Sequence, residues 1–269
     1  MAVNECLKSV MVEYVSTYFP LPPGHLIVAG RGVEPAGHRS APHRHPEGQL
    51  VGAVKGLLTI GTDDNVGVVP AIHAVWIPPH CVHWTRSHGA MDGWTVYVDE
   101  RACATLPPVA CRIRTSALLR EAIFRAARWS TGPRTAADDR VAGVILDEIA
   151  SLPTESFGLP LPDDPRLLRV AKALVDDPSD QRSVSYWASV AAVSERTLGR
   201  GFVAETGFHF NAWRQRARLL KALEMLADDV PVNAIALDLG YATASAFIAL
   251  FRRVFGETPM TYKARLACS

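Results

Sequence analysis

Two hydrophobic periods divide the chain. Up to about Val109, short β-branched or aromatic runs (Gln49 to Val54, Leu57 to Gly61, Ala74 to Ile77 and Trp94 to Val98) stand between stretches rich in Gly and Pro. Runs of that length, bounded by turn residues, predict strands, and several in succession predict a small all-β domain. From Thr115 to Trp129 and from Ala136 to Leu152 the period lengthens to that of a helix. Leu118, Leu119, Ile123 and Ala126 line one face there, and Val141, Val144, Ile145 and Ile149 line another. A turn around Gly132-Pro133 would join the two as a hairpin. Their apolar faces have two readings: a dimer surface, or packing on the β domain of their own chain. Pro153 to Pro165 holds four prolines and a glycine, a composition that ends helices and suits a linker. From Arg166 onward the pattern is helical. The expected fold class is α+β and multidomain: an all-β domain over residues 1–110, a helical dimerisation hairpin and linker over 111–163, and an all-α domain over 164–269.

The helical third repeats itself. Ser194, Leu198, Phe202 and Gly207 recur as Thr243, Phe247, Phe251 and Gly256, each 49 residues later. In each copy a hydroxyl residue is placed to cap a helix, an apolar pair at i and i+4 faces inward, and a glycine follows the helix end. Before each stands a shorter apolar helix and a turn: Val184 to Val190 with Ala191-Ala192-Val193, and Val232 to Leu239 with Gly240-Tyr241-Ala242. Two helix-turn-helix units follow, joined by an amphipathic stretch from Asn211 to Leu226.

With 269 residues, 48% apolar and 20% charged, the composition is globular and excludes disordered and collagen-like chains. No apolar run approaches the roughly 18 to 20 residues that cross a bilayer, and Met1 to Tyr18 carries Glu5 and Glu13 where a secretory signal would be basic and then apolar. The cytoplasm is the expected compartment. Five scattered cysteines (Cys6, Cys81, Cys103, Cys111 and Cys268) form no CxxC pair and read as reduced thiols. The net charge of +1 averages unlike parts: Asp164 to Ser269 holds 14 Lys+Arg against 11 Asp+Glu, and the remainder is slightly acidic. A local basic face suffices for nucleic acid, because affinity follows the number of phosphates neutralised at the interface.

The stretch VSERTLGRGFVAETGFHFNAWRQRARLLKALEML, followed by VNAIALDLGYATASAFIALFRRVFGETPMTY, resembles the DNA-binding domain of AraC-type transcription regulators. Gly240-Tyr241, Phe247, Phe251-Arg252-Arg253, Phe255-Gly256, Thr258-Pro259 and Tyr262 carry the resemblance most specifically. It implies DNA contact from Ser194, Glu195, Arg196, Thr197, Gly199 and Arg200 in the first recognition helix, and from Thr243, Ala244, Ser245, Ile248, Arg252 and Arg253 in the second. Arg196 and Arg200, at i and i+4, share a face opposite Leu198 and Phe202, which suits base or phosphate contact; a merely solvated face is the alternative. The second helix offers almost no hydrogen-bonding groups at Ala244, Ser245, Ile248 and Ala249, so weak readout of thymine methyls or shape is expected there, with Arg252 and Arg253 on phosphate. Gly199 and Gly201 lie inside the first recognition helix at about 1 kcal/mol each. Gly199 has two readings, close approach to DNA or drift tolerated by packing.

Seven of the nine histidines fall between His38 and His88. Gly37, His43, His45, Gln49 and Gly56 resemble the first cupin motif, with glutamine in place of the acid. Pro78 to His83 resembles the second, with His80 where glycine is usual. The resemblance implies a β-barrel effector domain, in which His43, His45 and His83 could bind a divalent first-row metal with Gln49 as a weak neutral ligand. Hydrogen-bonded wall histidines are the alternative. Trp76, Trp84, Trp94 and Tyr97 read as core packing before ligand platform. The expected function is sequence-specific transcription regulation modulated by a small molecule or metal in the barrel, not catalysis. Double-stranded DNA, a small-molecule effector, a second copy of the chain and RNA polymerase are the expected partners. The runner-up is a metal-dependent cupin enzyme with a helical appendage, which would have no need of the repeat.

Overall fold

The structure is a computed structural model and describes residues 21–34, 37–70, 73–129 and 134–268. The expected turn at Gly132-Pro133 and Cys6 lie outside the described residues. The chain divides into two compact units, residues 1–62 with 69–157, and residues 63–68 with 158–268. Among the described residues, no helix is long and apolar enough to cross a membrane.

The first unit is strand-rich. Its antiparallel strands are β1 (Ile27–Glu34), β2 (Gly48–Thr62), a β3 (Asn65–Val69) that ends in it, β4 (His73–Ile77), β5 (His83–Val98) and β6 (Cys111–Arg114). Helices α1 (Ala117–Ala126) and α2 (Ala136–Ser151) precede a short β7 (Thr154–Ser156), and the strand order is β1-β5-β2-β4-β6-β7. The two runs read as separate strands, Gln49 to Val54 and Leu57 to Gly61, are one strand. Gly56, at φ 84°, sits at register shifts between Ala53 and Leu57 that let β2 bend without breaking its pairing with β5. One core lies between sheet and helices: Ile27, Leu50, Trp76, Trp94 and Val96 meet Leu119, Ile123, Ile145 and Ile149. These four helical residues are fully buried. These four positions pack on the chain's own sheet, as one of the two readings had it, whereas Leu118, expected on the same face, stands 58% exposed and Val141 and Val144 are half-buried. A second core, with Val51, Ile60, Val75, Ile77 and Met91, takes in Phe157 from the expected linker.

That linker is ordered. β7 pairs with β6, and in the second unit β8 (Leu159–Pro160) pairs with Asn65 and Val66 of β3. The unit boundary falls at residues 157–158, and the boundary expected at 110–111 would cut β6 away from the sheet to which it belongs. Composition signalled chain breaks correctly but could not show that Phe157, Leu159 and Leu161 would be buried.

The second unit is helical: α3 (Pro165–Asp176), α4 (Val184–Val190), α5 (Glu195–Thr206), α6 (Phe210–Ala227), α7 (Val232–Asp238), α8 (Ala244–Phe255) and α9 (Pro259–Cys268). Leu167, Val170, Leu174, Trp187, Leu198, Phe202, Phe210 and Trp213 form its first core, joined by Leu159 and Leu161. The Trp213 indole N–H donates to the Pro160 carbonyl at 2.7 Å. Cys81, Cys103 and Cys111 are free thiols; burial pushes the Cys111 thiol up to about 11, which keeps it protonated and unreactive.

Candidate DNA interface and histidine centre

The two halves of the repeat fold alike for reasons visible in their caps. Ser194 Oγ accepts the Thr197 N–H at 3.1 Å, and Thr243 Oγ1 accepts the Ala246 N–H at 3.1 Å, each satisfying a donor that the helix start leaves open. Gly207 and Gly256 close α5 and α8 at φ 76° and 77°, the left-handed geometry that favours glycine. Leu198, Phe202, Phe247 and Phe251 are fully buried. That orientation leaves Glu195, Arg196, Thr197 and Arg200 exposed on α5, and Ser245, Ala246, Ala249, Arg252 and Arg253 exposed on α8. Ala244 and Ile248, expected to face outward, are half-buried, and Ala246, which the pattern did not single out, is exposed. Arg196, Arg200, Arg252 and Arg253 make no ion pair or side-chain hydrogen bond among the described residues. The two glycines of α5 differ. A Cβ on Gly201 would stand 2.4 Å from Leu167 Cδ1, so α3 packs against the space a side chain would take, whereas one on Gly199 would meet nothing within 4 Å.

In the first unit, backbone pairing builds the histidine centre. His43 and His83 exchange both main-chain hydrogen bonds at 2.9 Å, which sets their rings 4.4 Å apart. His45, two residues along, comes to the same side and lies 5.1 Å from His83 between centroids. One ligand atom from each of the three can lie within 4.8 Å of the others. Each Nδ1 faces a backbone carbonyl two residues away at 2.9 Å: His43 with Ala41, His45 with Glu47, and His83 with Cys81. A ring nitrogen against a carbonyl carries the proton, so each ring, in its neutral form, keeps its lone pair on Nε2.

Burial holds His83 neutral by lowering its pKa from 6.5 to about 4, with His43 and His45 adding to the effect. Burial also lowers His45, against the pull of the Glu47 carbonyl and the Gln49 amide. Gln49 donates to Thr95 Oγ1 at 3.1 Å and Tyr97 OH at 3.4 Å, which turns its other end, Oε1, into a buried acceptor with no hydrogen bond. His83 Nε2 is likewise buried and unsatisfied. Buried acceptors left unmatched cost about 1 to 3 kcal/mol each.

His80 occupies the place where the resembled motif has glycine, at φ 62°, with its N–H bonded to the His45 carbonyl. The backbone there has the glycine-like geometry even though the residue does not. Two of the four remaining histidines of the cluster serve elsewhere: His88, fully buried, meets Thr59 Oγ1 at 3.0 Å, and exposed His80 meets Glu100 at 3.1 Å. Trp76 and Trp94 lie in the core shared with the helices, while Tyr97 packs edge-on to His45. Sequence reasoning missed Glu47, a buried carboxylate whose Oε2 lies 3.6 Å from His45 Nδ1. No spacing marks it, because the chain bends at Pro46 and Glu47 before β2 begins.

Two capped helix-turn-helix motifs joined by a single long helix define a DNA-binding protein. A family profile described as "Helix-turn-helix domain" matches residues 187–265. HTH-type transcriptional regulator NimR of Escherichia coli is 32% identical over 225 residues, which is 83% of this chain and 82% of NimR. HTH-type transcriptional regulator RipA of Corynebacterium glutamicum is 39% identical over 116 residues, 43% of this chain, and the match spans only 35% of RipA. ToxT from Vibrio cholerae covers 90% of this chain and 99% of its own at 7% identity and a TM-score of 0.40, a likeness too distant to bear on any site. The chain belongs to the AraC-type family of transcription regulators. It is a DNA-binding regulator and not an enzyme.

Proposed function

We propose that this regulator is switched by a divalent first-row metal held by His43, His45 and His83 in a cupin-like effector unit, with Gln49 Oε1 as a weak fourth ligand. The carrying observation is the common arrangement: three clustered imidazoles whose ligand atoms lie within 4.8 Å of one another, each tied at Nδ1 to a carbonyl, which leaves Nε2 as the atom for a metal. Neutral nitrogen ligands suit the later first-row dications. A bound ion would supply charge and cross-link the His43 and His83 segments. Binding the two states of the protein unequally, it would shift the population competent for DNA.

On the DNA side, α5 and α8 would enter successive major grooves about 34 Å apart, linked by α6, whose 18 residues span about 27 Å. The unpaired cations support this reading: exposed arginines that no carboxylate neutralises are available to phosphate or guanine. Arg196, Thr197 and Arg200 would read bases, Glu195 would accept from cytosine or orient a neighbour, and capped Ser194 and Thr243 would set the helix starts. Gly199 lies on the same helix, and Ala244, Ser245 and Ile248 make the weakly reading counterpart. Arg252 and Arg253 would hold phosphate. A homodimer, RNA polymerase and a cytoplasmic location complete the reading.

The test uses full-length protein. Prepared without chelator, it is expected to carry near one divalent metal per chain, which His45→Ala loses. Its affinity for the DNA upstream of its own gene, measured by anisotropy, is expected to change when the metal is removed and to recover with zinc, cobalt or nickel. Equal DNA affinity with and without bound metal would refute the switch, and an organic molecule that alone shifts DNA affinity would make the effector a small molecule instead.

A further inference from the structure

A dication in this centre raises a charge problem. As metal ligands His43, His45, His83 and Gln49 would all be neutral, and three of the four are less than 7% exposed. An ion brought among them would keep its full double charge where water cannot screen it, an arrangement that buried sites avoid by pairing. In the first-motif resemblance the acid would stand at position 49, and here it is an amide. A carboxylate does touch one of these residues: Glu47, two positions before Gln49 in the chain, lies beside His45. It is 8% exposed, with Oε2 3.6 Å from His45 Nδ1. That Nδ1–H donates to Glu47's own carbonyl at 2.9 Å, so one residue addresses the ring twice, with a dipole and with a charge.

We infer that Glu47 is the charge-compensating positioning residue of the metal centre, acting through His45 and not as a ligand itself; the inference rests on the metal reading proposed above. The chemistry is that of a carboxylate behind a metal-bound imidazole. A negative charge beside the Nδ1–H makes Nε2 a better donor, fixes the ring orientation, and balances part of the ion's charge at a distance. Partners of this kind typically govern metal affinity 10- to 100-fold when removed. The carboxylate thus moves from the metal, where the resembled motif has it, to the far side of one ligand. The oxygen Glu47 offers His45 stays on the ring's protonated edge and leaves Nε2 open.

Zinc affinity of full-length protein, measured by competition with a fluorescent chelator, tests this with wild type, Glu47→Gln, Glu47→Asp and His45→Ala. Glu47→Gln is expected to bind one zinc per chain at saturation but 10- to 100-fold more weakly. Glu47→Asp, which keeps the charge on a shorter arm, is expected in between and serves the comparison if the amide variant does not fold. Cobalt-substituted wild type and Glu47→Gln are expected to share one visible spectrum, because the ligand set is the same. Wild-type-like affinity in both Glu47 variants overturns the inference while leaving the metal site standing. A changed cobalt spectrum in Glu47→Gln also overturns it, since Glu47 would then be a ligand. Wild type that takes up no metal, alone among these outcomes, removes the underlying reading as well.

Discussion

Arg200→Ala and Arg252→Ala should separate reading from holding. Both side chains are exposed and unpaired, so truncation removes no contact within the folded chain, and arginine and alanine differ little in helix propensity. Thermal stability should therefore stay put, and any change in DNA affinity belongs to the interface. A bidentate arginine on guanine is worth about 1 to 3 kcal/mol of discrimination, or roughly 5- to 140-fold at 1.4 kcal/mol per decade. Arg200→Ala is expected to lose that on the specific site, to lose little on scrambled DNA, and to relax preference at one position. A phosphate contact exists on every duplex, so Arg252→Ala should weaken all sequences alike and flatten the plot of log affinity against log salt by about 0.9. Anisotropy titrations at several salt concentrations, on cognate and scrambled duplexes, measure both. Equal loss on the two duplexes for Arg200→Ala would show that Arg200 positions the helix, and no loss on either would put the recognition face elsewhere on α5.

The folded-state pKa of His83 lies below the unfolded value, so its contribution is present above pH 6.5 and is lost as pH falls toward about 4; the gap corresponds to about 3 kcal/mol. Denaturant unfolding of chelated protein should show this loss in wild type and not in His83→Gln, and parallel curves would contradict the neutral buried ring. Gly199→Ala is expected to stabilise by up to about 1 kcal/mol, whereas Gly201→Ala, facing Leu167, is expected to destabilise by about 1 to 3 kcal/mol; melting temperatures decide. If Gly199→Ala also weakens DNA binding, close approach to the duplex is its role, and unchanged binding assigns it to drift. Ile145→Ala should cost about 2 to 5 kcal/mol without altering the sedimentation coefficient, because its face is intramolecular core; dissociation of an oligomer at unchanged stability would return that face to an interface.

What was legible in the sequence was local. Caps, the i,i+4 apolar pairs and the closing glycines of the second unit are decided within one or two helical turns, and the 49-residue repeat displayed them twice. The histidine spacing was legible for a similar reason, since period two sends His43 and His45 to one side of an extended chain. β1 was not legible because its pattern is inverted: Glu34 points inward at 2% exposure while Val33 points outward at 60%. The turn before α5 was legible from the repeat, but its left-handed residue was not. Ala192 adopts φ 55° where the second motif has Gly240 at φ 74°, and alanine gives no hint of a left-handed residue. Glu47 was overlooked because its relation to His45 depends on how the backbone folds back at Pro46 and Glu47, which spacing does not encode.

The second unit borrows residues 63–68 from the middle of the first, and this has a consequence for how the protein is made. Asn65 and Val66 pair with Pro160 and Leu159, the Asp64 carbonyl accepts the Leu161 N–H at 2.7 Å, and Val66 packs on the core around Trp213. Synthesis at about 5 to 20 residues per second delivers the borrowed strand roughly 5 to 20 s before its partner leaves the ribosome, and the core helices follow later still. During that interval the nascent chain carries an open strand edge of the kind that invites wrong pairing. Completion of the DNA-binding unit therefore waits on a contact between residues about 95 positions apart, a slow type of closure for an otherwise local helical fold. A fragment begun at residue 164, where composition marks the end of the linker, would be born without that strand and with part of its core uncovered.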